Sequence, residues 1–569
     1  MPQILKFNRR FAASFAAVVL FVCSPARASG ASNFDVSNFR GPKMTDLYYV
    51  VMRDADAQTM AITSGKLDVL GDIFRAVDVE RLEKSGLVDL SMAANFHGFF
   101  VTFNTRKFPF DHKVLRQAAS QVMDRINWTR DLFSGYAEPA SGFIPEISPY
   151  FDGDAKALSY DAEAARKRLR DAGWTWNADG RLTAPDGQET PHIKILCPPS
   201  SVAATSTEIA ILAAEGLSKL GMSAEAQPMD FQTMLARVDE RDFDACTNAW
   251  SMSRDPDLLY AFYHSSWKDI KGAYNLSGVA DDELDAALLS LRNAPDEASA
   301  REAAILSQRL LSELVPVVPI YSRYSVAAIR KDWDGVYAND RVTSDNLYTL
   351  LSMTPKGAKA GETRPIYWNI PEEIRTLNPL VSGTAYDWTV LGSIYDSLIS
   401  VNPENFEDMP WLAESWSIET GENGSILTFT LRDGLKWQDG FPLTADDVAF
   451  SLEFLKKNEV PRYFDSVSDV ERVETDADAR TVKVYMSNTS YWHLHNIGGM
   501  IILPKHILEN VPDWRAWQPT NTRHKAADGS DMTELVGTGP FIFKESRVGE
   551  YVHMTRNPFY MLSGGEDKK

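Results

Sequence analysis

Little in this sequence is built for covalent chemistry. It holds no Gly-x-Ser-x-Gly elbow, no His-Glu-x-x-His, no phosphate-cradling Gly-x-x-x-x-Gly-Lys and no Gly-x-Gly-x-x-Gly opening a helix. The common hydrolase, metalloprotease and nucleotide-binding patterns are therefore excluded. His493 and His495 flank Leu494 at i, i+2, a spacing that turns two imidazoles to one side of a strand and could chelate a metal. Ordinary polar positions beside Trp492 explain them far better, and no metal ligand is assigned. Carboxylate pairs are frequent, as 78 acidic residues make them. The expectation is no enzyme, no cofactor and no metal.

Two stretches are better suited to holding a ligand. Ser382-Gly383-Thr384, followed by Tyr386-Asp387 and Trp388, offers two hydroxyls around a glycine that lets another backbone come close. A simple Ser/Gly turn before a helix accounts for the same residues. Trp250 to Asp257 brings an indole, the Ser253 hydroxyl and the carboxylates of Asp255 and Asp257 into eight residues. Trp250 and Trp388 have rings able to stack on a sugar or an aliphatic stem, although large aromatics are often core.

The elements that must position these residues follow from periodicity. Ile193 to Cys197 reads as a short apolar strand. Thr205-x-x-Glu208 resembles a capping box opening a helix that ends at Gly221. A strand near Ser223 to Gln227, a helix capped by Asp230 and a strand through Phe243 to Thr247 complete a β-α-β-α-β run, which predicts a parallel sheet with right-handed crossovers. Ligands meet such sheets beyond the C-terminal strand ends, here Cys197 to Ser201 and Trp250 to Asp257. If the third strand lies beside the first, Cys197 and Cys246 approach each other and a disulfide is permissible in an oxidising compartment. Helices are expected over Lys113 to Arg125, Asp161 to Ala172, Asp281 to Arg292 and Asp296 to Leu314. Pro316 to Tyr321 is an extended apolar segment that suits a crossover between lobes. Periodicity stops at 354–363, which reads as a flexible linker.

The 569 residues are too many for one simple domain. Lys6, Arg9 and Arg10, the apolar run Phe11 to Cys23 and Ala26-Arg27-Ala28 form a secretory signal peptide over 1–28. Of the 58 Lys and Arg residues four lie in that signal, leaving 54 against 78 acids and a net charge of −24. So negative a surface argues against nucleic acid or anionic membrane as partner.

Longer motifs carry a resemblance. Leu412-Ala413-Glu414-Ser415-Trp416, then Thr428 to Gly440 (Thr-Phe-Thr-Leu-Arg-Asp-Gly-Leu-Lys-Trp-Gln-Asp-Gly), then Pro442 to Val448 resemble extracellular solute-binding proteins of family 5, which include dipeptide and oligopeptide receptors of ABC importers. Thr376 to Pro379, Gly537 to Phe541 and Arg556 to Tyr560 match as well. Thr63 to Val69, Phe103 to Thr105, Pro109 to Asp111, Arg116 to Ala118, Asp242 to Asp244 and Asp255 to Asp257 resemble the same family's second part.

The order of the parts is inverted. In the usual family the block with Leu-Ala-Glu-Ser-Trp comes first; here it comes last. The resemblance implies an α/β, two-lobed periplasmic-binding-protein fold (type II-like, with an extra subdomain) in circularly permuted order. A family 5 C-terminal block spans 37–353 and an N-terminal block 364–562, joined by the linker 354–363 and followed by a tail 563–569. Lobe II is about 100–322; lobe I is 364–562 completed by about 37–96 and 325–353.

In function it implies a periplasmic, soluble, monomeric receptor that closes two lobes on a small solute and delivers it to an inner-membrane ABC permease. A sensory or scavenging receptor without a permease and a non-binding rearrangement product are the alternatives. By the resemblance Ser382, Gly383, Thr384 and Tyr386 hydrogen-bond the ligand backbone. The aspartate that holds a peptide's ammonium group falls on Ser253, with Asp255 and Asp257 near by. The loop Cys197-Pro198-Pro199-Ser200-Ser201 lacks the arginine that pairs with a dipeptide's carboxylate. A longer peptide, or a neutral or cationic solute, fits better.

Overall fold

A computed structural model describes residues 34–563 apart from Phe74, Ala360, Glu422, Asn423, Ala477 and Asp478. The expected signal peptide and the tail beyond Ser563 lie outside the described residues. No helix among the described residues is long and apolar enough to cross a membrane.

Two large sheets organise the chain. Their strands are β1 (Asp46–Val51), β2 (Val69–Leu70), β3 (Val88–Ala93), β4 (His97–Phe103), β5 (Ala137–Pro139), β6 (Ile193–Cys197), β7 (Ala224–Pro228), β8 (Ala245–Ser251), β9 (Val317–Arg323), β10 (Ser325–Arg330), β11 (Ile366–Ile370), β12 (Phe541–Arg547) and β13 (Tyr551–Arg556). One sheet has seven strands in the order β12-β13-β1-β11-β2-β10-β3; the other has six, β5-β9-β4-β8-β6-β7. Strand β4 lies inside the second sheet and reads Gly-Phe-Phe-Val-Thr-Phe after His97, buried on both faces, as a central strand must be. A Cβ on its Gly98 would stand 2.7 Å from the Met252 methyl and the Phe100 ring, so a larger residue there would have to displace both side chains.

The parallel run is present: β6 pairs in parallel with both β7 and β8. Asp230, Asp161, Asp281 and Asp296 each cap the helix that follows them. Local details differ. The helix Ser200–Ser218 starts five residues ahead of Thr205 and is interrupted at Ala203. The stretch from Lys113 breaks at Val122, and Asp124 caps a second helix, Arg125–Phe133. Thr354–Pro355 in the expected linker pairs with Trp333–Asp334, and Arg364 lies 4.0 Å above the Trp333 ring.

The cysteines are free. Their strands are neighbours, but Cys246 stands opposite Leu196 rather than Cys197. Alternation along the pleat sends Cys197 into the core with Ile193 and Ile195, and Cys246 to the other face with Leu196 and Phe243. The disulfide reading is thereby corrected.

The last third of the chain adds a subdomain: a four-stranded antiparallel sheet over residues 413–486 with the helix Ala445–Lys457, sharing one large core. Several residues of the longer motifs tie this subdomain to the seven-stranded sheet. Gln438 Nε2 donates to the Phe541 carbonyl at 2.7 Å, and its Oε1 accepts from Gly537 N at 3.1 Å. Asn557 Nδ2 donates to the Gly539 carbonyl at 2.8 Å. A buried side-chain amide satisfied at both ends fixes backbone positions that no apolar residue could.

Candidate binding site

The two sheets are joined by two chain passages, Ala94–Phe96 between β3 and β4, and Tyr324 between β9 and β10. These passages run side by side. Asn95 Nδ2 donates to Ser325 Oγ at 3.1 Å, and Ser322 Oγ donates to the His97 carbonyl at 2.7 Å. Next to them lies a small hollow lined by His97, Glu138, Ser141, Met252 and Ser322 among others. Burial drives the His97 imidazole down to about 4, helped by Arg323, so this side of the hollow is neutral at physiological pH. Burial raises Glu138, against the hydrogen bond it accepts from Tyr324.

Beyond β8 the chain passes along the opposite lobe and contacts it through two side chains. Arg254 binds the Asp408 carboxylate and the Phe406 carbonyl. His495 Nε2 lies 2.9 Å from Asp408 Oδ2, and its Nδ1 lies 3.0 Å from Asp255 Oδ1. The second contact is a charge pairing rather than an aligned hydrogen bond. The four side chains, two cationic and two anionic, are each less than one-fifth exposed. Burial acts to lower His495, but the Asp255 and Asp408 carboxylates outweigh it and hold its pKa at about 9. Burial likewise acts to raise Asp408, and His495 and Arg254 outweigh it downward.

An apolar contact supports this network. Trp492 is buried among Tyr150, Leu284, Leu288 and Leu291 of the six-stranded lobe. Its Nε1 donates to the Leu291 carbonyl at 2.8 Å, and Tyr491 N donates to the Ala294 carbonyl at 2.7 Å.

The residues singled out in the sequence fall into separate groups. Asp255 carries the charge pairing just described. Ser253 is exposed, and its Oγ accepts from Asp255 N at 3.1 Å. Asp257 Oδ1 is buried without a hydrogen-bond partner; burial raises its carboxyl to about 6 despite Arg292. Trp250 packs inside its own lobe, meeting Phe262 and Tyr274 edge-on at 5.1 and 5.4 Å. It lines a small hollow with Phe100, Asn248 and Tyr274.

In the other lobe, Ser382 Oγ donates to Asp387 Oδ2 at 3.2 Å, and Thr384 caps Ala385–Leu391 by accepting from Asp387 N at 3.1 Å. A Cβ at Gly383 would meet open space. Tyr386 and Trp388 pack on the apolar cores, with Arg462 at 4.2 Å over the Trp388 ring. Trp388 is thus a half-buried ring covered by a cation.

His493 and His495 stand on the short helix Trp492–Gly498, not on a strand. At i, i+2 they point to different sides: His493 toward Asp469 at 3.4 Å, His495 toward Asp255 and Asp408. The chelate reading does not hold. Arg254 and Asp408 are residues of this network that the sequence did not single out, and His495 stood out there only as a possible chelator. Arg254 adjoins Asp255, but nothing local marks Asp408 or His495 as its partners.

The model of "Bacterial extracellular solute-binding proteins, family 5 Middle" matches residues 33–269 and 408–569. The chain belongs to this family. Among curated relatives, the oligopeptide-binding protein AppA of Bacillus subtilis is 26% identical over 263 residues, covering 45% of this chain and 46% of AppA. The periplasmic murein peptide-binding protein MppA of Escherichia coli is 25% identical, covering 36% and 38%. The chain spans about half the length, or less, of the curated relatives it matches. Among solved structures, AppA of Bacillus subtilis with a nonapeptide is 22% identical over 54% of this chain and 59% of that one, with a TM-score of 0.44. NikZ of Campylobacter jejuni with Ni(L-His) is 18% identical over 53% and 60%, with a TM-score of 0.45. Membership of this solute-binding family accords with the two large sheets and their two linking passages.

Proposed function

We propose that the protein is the periplasmic receptor of an ABC importer, closing two lobes on a peptide-like solute and presenting the closed form to a permease. The observation that carries this reading is the pair of adjacent passages at Ala94–Phe96 and Tyr324, with buried polar and apolar contacts where the lobes meet. Two parallel connections restrict relative motion to rotation about one axis, the geometry of hinged closure. The peptide-binding names of the relatives add the ligand class.

The charges favour a ligand longer than a dipeptide, or a neutral or cationic solute. Asp255 is engaged by His495 and Arg254, so it is not a free anchor for an ammonium group. Gly383 leaves room for a ligand backbone, and Glu138 at the hinge hollow would welcome a donor.

The permuted order belongs to the same proposal, with lobe II at about 100–322 and lobe I assembled from about 37–96, 325–353 and 364–562. Gly41 N donates to the Leu562 carbonyl at 3.0 Å, so segments that are contiguous in the usual family order meet here without a covalent link. Alignments that keep residue order would take in one block at a time, in keeping with the half-length matches. Well-formed cores in both lobes favour a working receptor over a non-binding product.

Thermal melts of the mature chain against dipeptides, longer peptides, sugars, opines and metal chelates test the reading. A ligand at 100 times its Kd stabilises by about 2.7 kcal/mol. The expected result is a raised melt with peptides of several residues and none with dipeptides. No shift from any class would overturn the proposal.

A further inference from the structure

The subdomain of the last third holds a cluster unconnected with solute capture. Asp439 lies in the turn before Gly440, His506 on the short helix Lys505–Leu508, and His524 on a small hairpin that pairs Arg523–Lys525 with Asp531–Thr533. Nε2 of His506 and Nε2 of His524 each lie 2.8 Å from the same atom, Oδ2 of Asp439. The three donor atoms are all within 4.8 Å of one another. We propose that Asp439, His506 and His524 form a binding site for one divalent transition-metal ion of the zinc type.

The donor set is the first argument. Two neutral imidazoles and a carboxylate suit zinc and its neighbours, whereas calcium and magnesium ask for oxygen alone. Distance is the second. Zinc ligands at 2.0–2.2 Å in a tetrahedral arrangement stand about 3.3 Å apart. Each O···N gap therefore opens by about half an ångström, and the two Nε2 atoms, within 4.8 Å of each other, settle to the same spacing around the ion.

Access is the third argument. The Asp439 side chain is fully buried, but those of His506 and His524 are 28% and 15% exposed, so an ion can enter and keep an open position toward water. Backbone anchoring is the fourth. Phe441 N holds the other oxygen, Asp439 Oδ1, at 3.2 Å, and Ala527 N, at the hairpin tip, donates to the Asp439 carbonyl at 2.9 Å. The carboxylate and the hairpin are thus already in place. The ion would clamp the hairpin to the turn. Each imidazole must then carry its proton on Nδ1, since the ion takes the Nε2 lone pair.

The test uses the mature chain without a histidine tag, treated with chelator and titrated calorimetrically with zinc chloride. One ion per chain is expected, with a raised thermal melt. His524→Ala, on the partly exposed hairpin, should weaken binding by about tenfold or more and abolish the melt shift, while leaving circular dichroism unchanged. His192→Ala, at an exposed histidine elsewhere, should bind as the parent does. Asp439→Asn gives a second reading where it folds. Absence of binding, or equal affinity in His524→Ala and the parent, overturns the proposal.

Discussion

Nδ1 of His495 and Oδ1 of Asp255 lie 3.0 Å apart, and they belong to opposite lobes. The pairing is buried and shares its charges with Arg254 and Asp408, so the lobes meet through a compensated polar network. Such networks contribute little against a well-packed apolar alternative, but losing one member is costly because its partner stays buried and unpaired.

The first prediction concerns pH. His495 has a folded pKa of about 9, above its ordinary 6.5. Its contribution is therefore fully present below pH 6.5 and is lost as pH rises through 9. A gap of that size corresponds to about 3 kcal/mol. Asp408 is lowered, so its contribution holds above its ordinary value and fades as pH falls through the lowered one. Small-angle scattering should show the lobes closest on a plateau between those limits and separating on the alkaline side. His495→Gln should remove the alkaline transition.

Arg254→Ala leaves Asp408 with His495 alone. The inter-lobe contact should weaken by about 3–5 kcal/mol. The radius of gyration should grow while far-UV circular dichroism stays the same. An unchanged radius would show that the apolar seat of Trp492 is enough to hold the lobes together.

Cys197 and Cys246 should stay reduced. The chain mass should be identical with and without reductant. Burial raises the two thiols to about 11 and about 12, so alkylation should be slow in the folded protein and rapid in denaturant.

Gly383→Leu probes the ligand loop. Its Cβ enters open space, so the unliganded melt should move by less than about 0.5 kcal/mol. The ligand-dependent shift should shrink or vanish. Retention of the full shift would place the ligand elsewhere.

A chain rejoined in the other order, 364–563 followed by 41–353, should fold to the same structure, because the Gly41 to Leu562 contact already brings the joined ends together. Matching circular dichroism and ligand response would confirm the permutation; an insoluble product would count against it.

Much of this was legible in the sequence wherever the cause is local. Aspartates at 161, 230, 281 and 296 announce their helices because capping is decided within four residues. The parallel β6–β8 region follows from alternating apolar runs, and the family from motifs that prove to be mutual hydrogen-bond anchors. What was not legible depends on distance or phase. Cys197 and Cys246 needed the register of two strands, and a one-residue offset puts them on opposite faces. His493 and His495 needed the choice of helix over strand, which a four-residue pattern does not make. Arg254 and Asp408 are separated by 154 positions, and no periodicity speaks across such a gap.

The sheet order bears on how the chain must be made. Strand β11 sits between β1 and β2, yet it is translated after the entire six-stranded lobe. As the polypeptide emerges, β2 and β3 can pair with β10 and residues 97–323 already contain every strand of their own sheet, but both neighbours of β1 lie from Ile366 onward. One lobe can complete itself during synthesis or export; the other must keep its opening strand waiting, exposed to chaperones or to aggregation, until the far half of the chain arrives to pair with it.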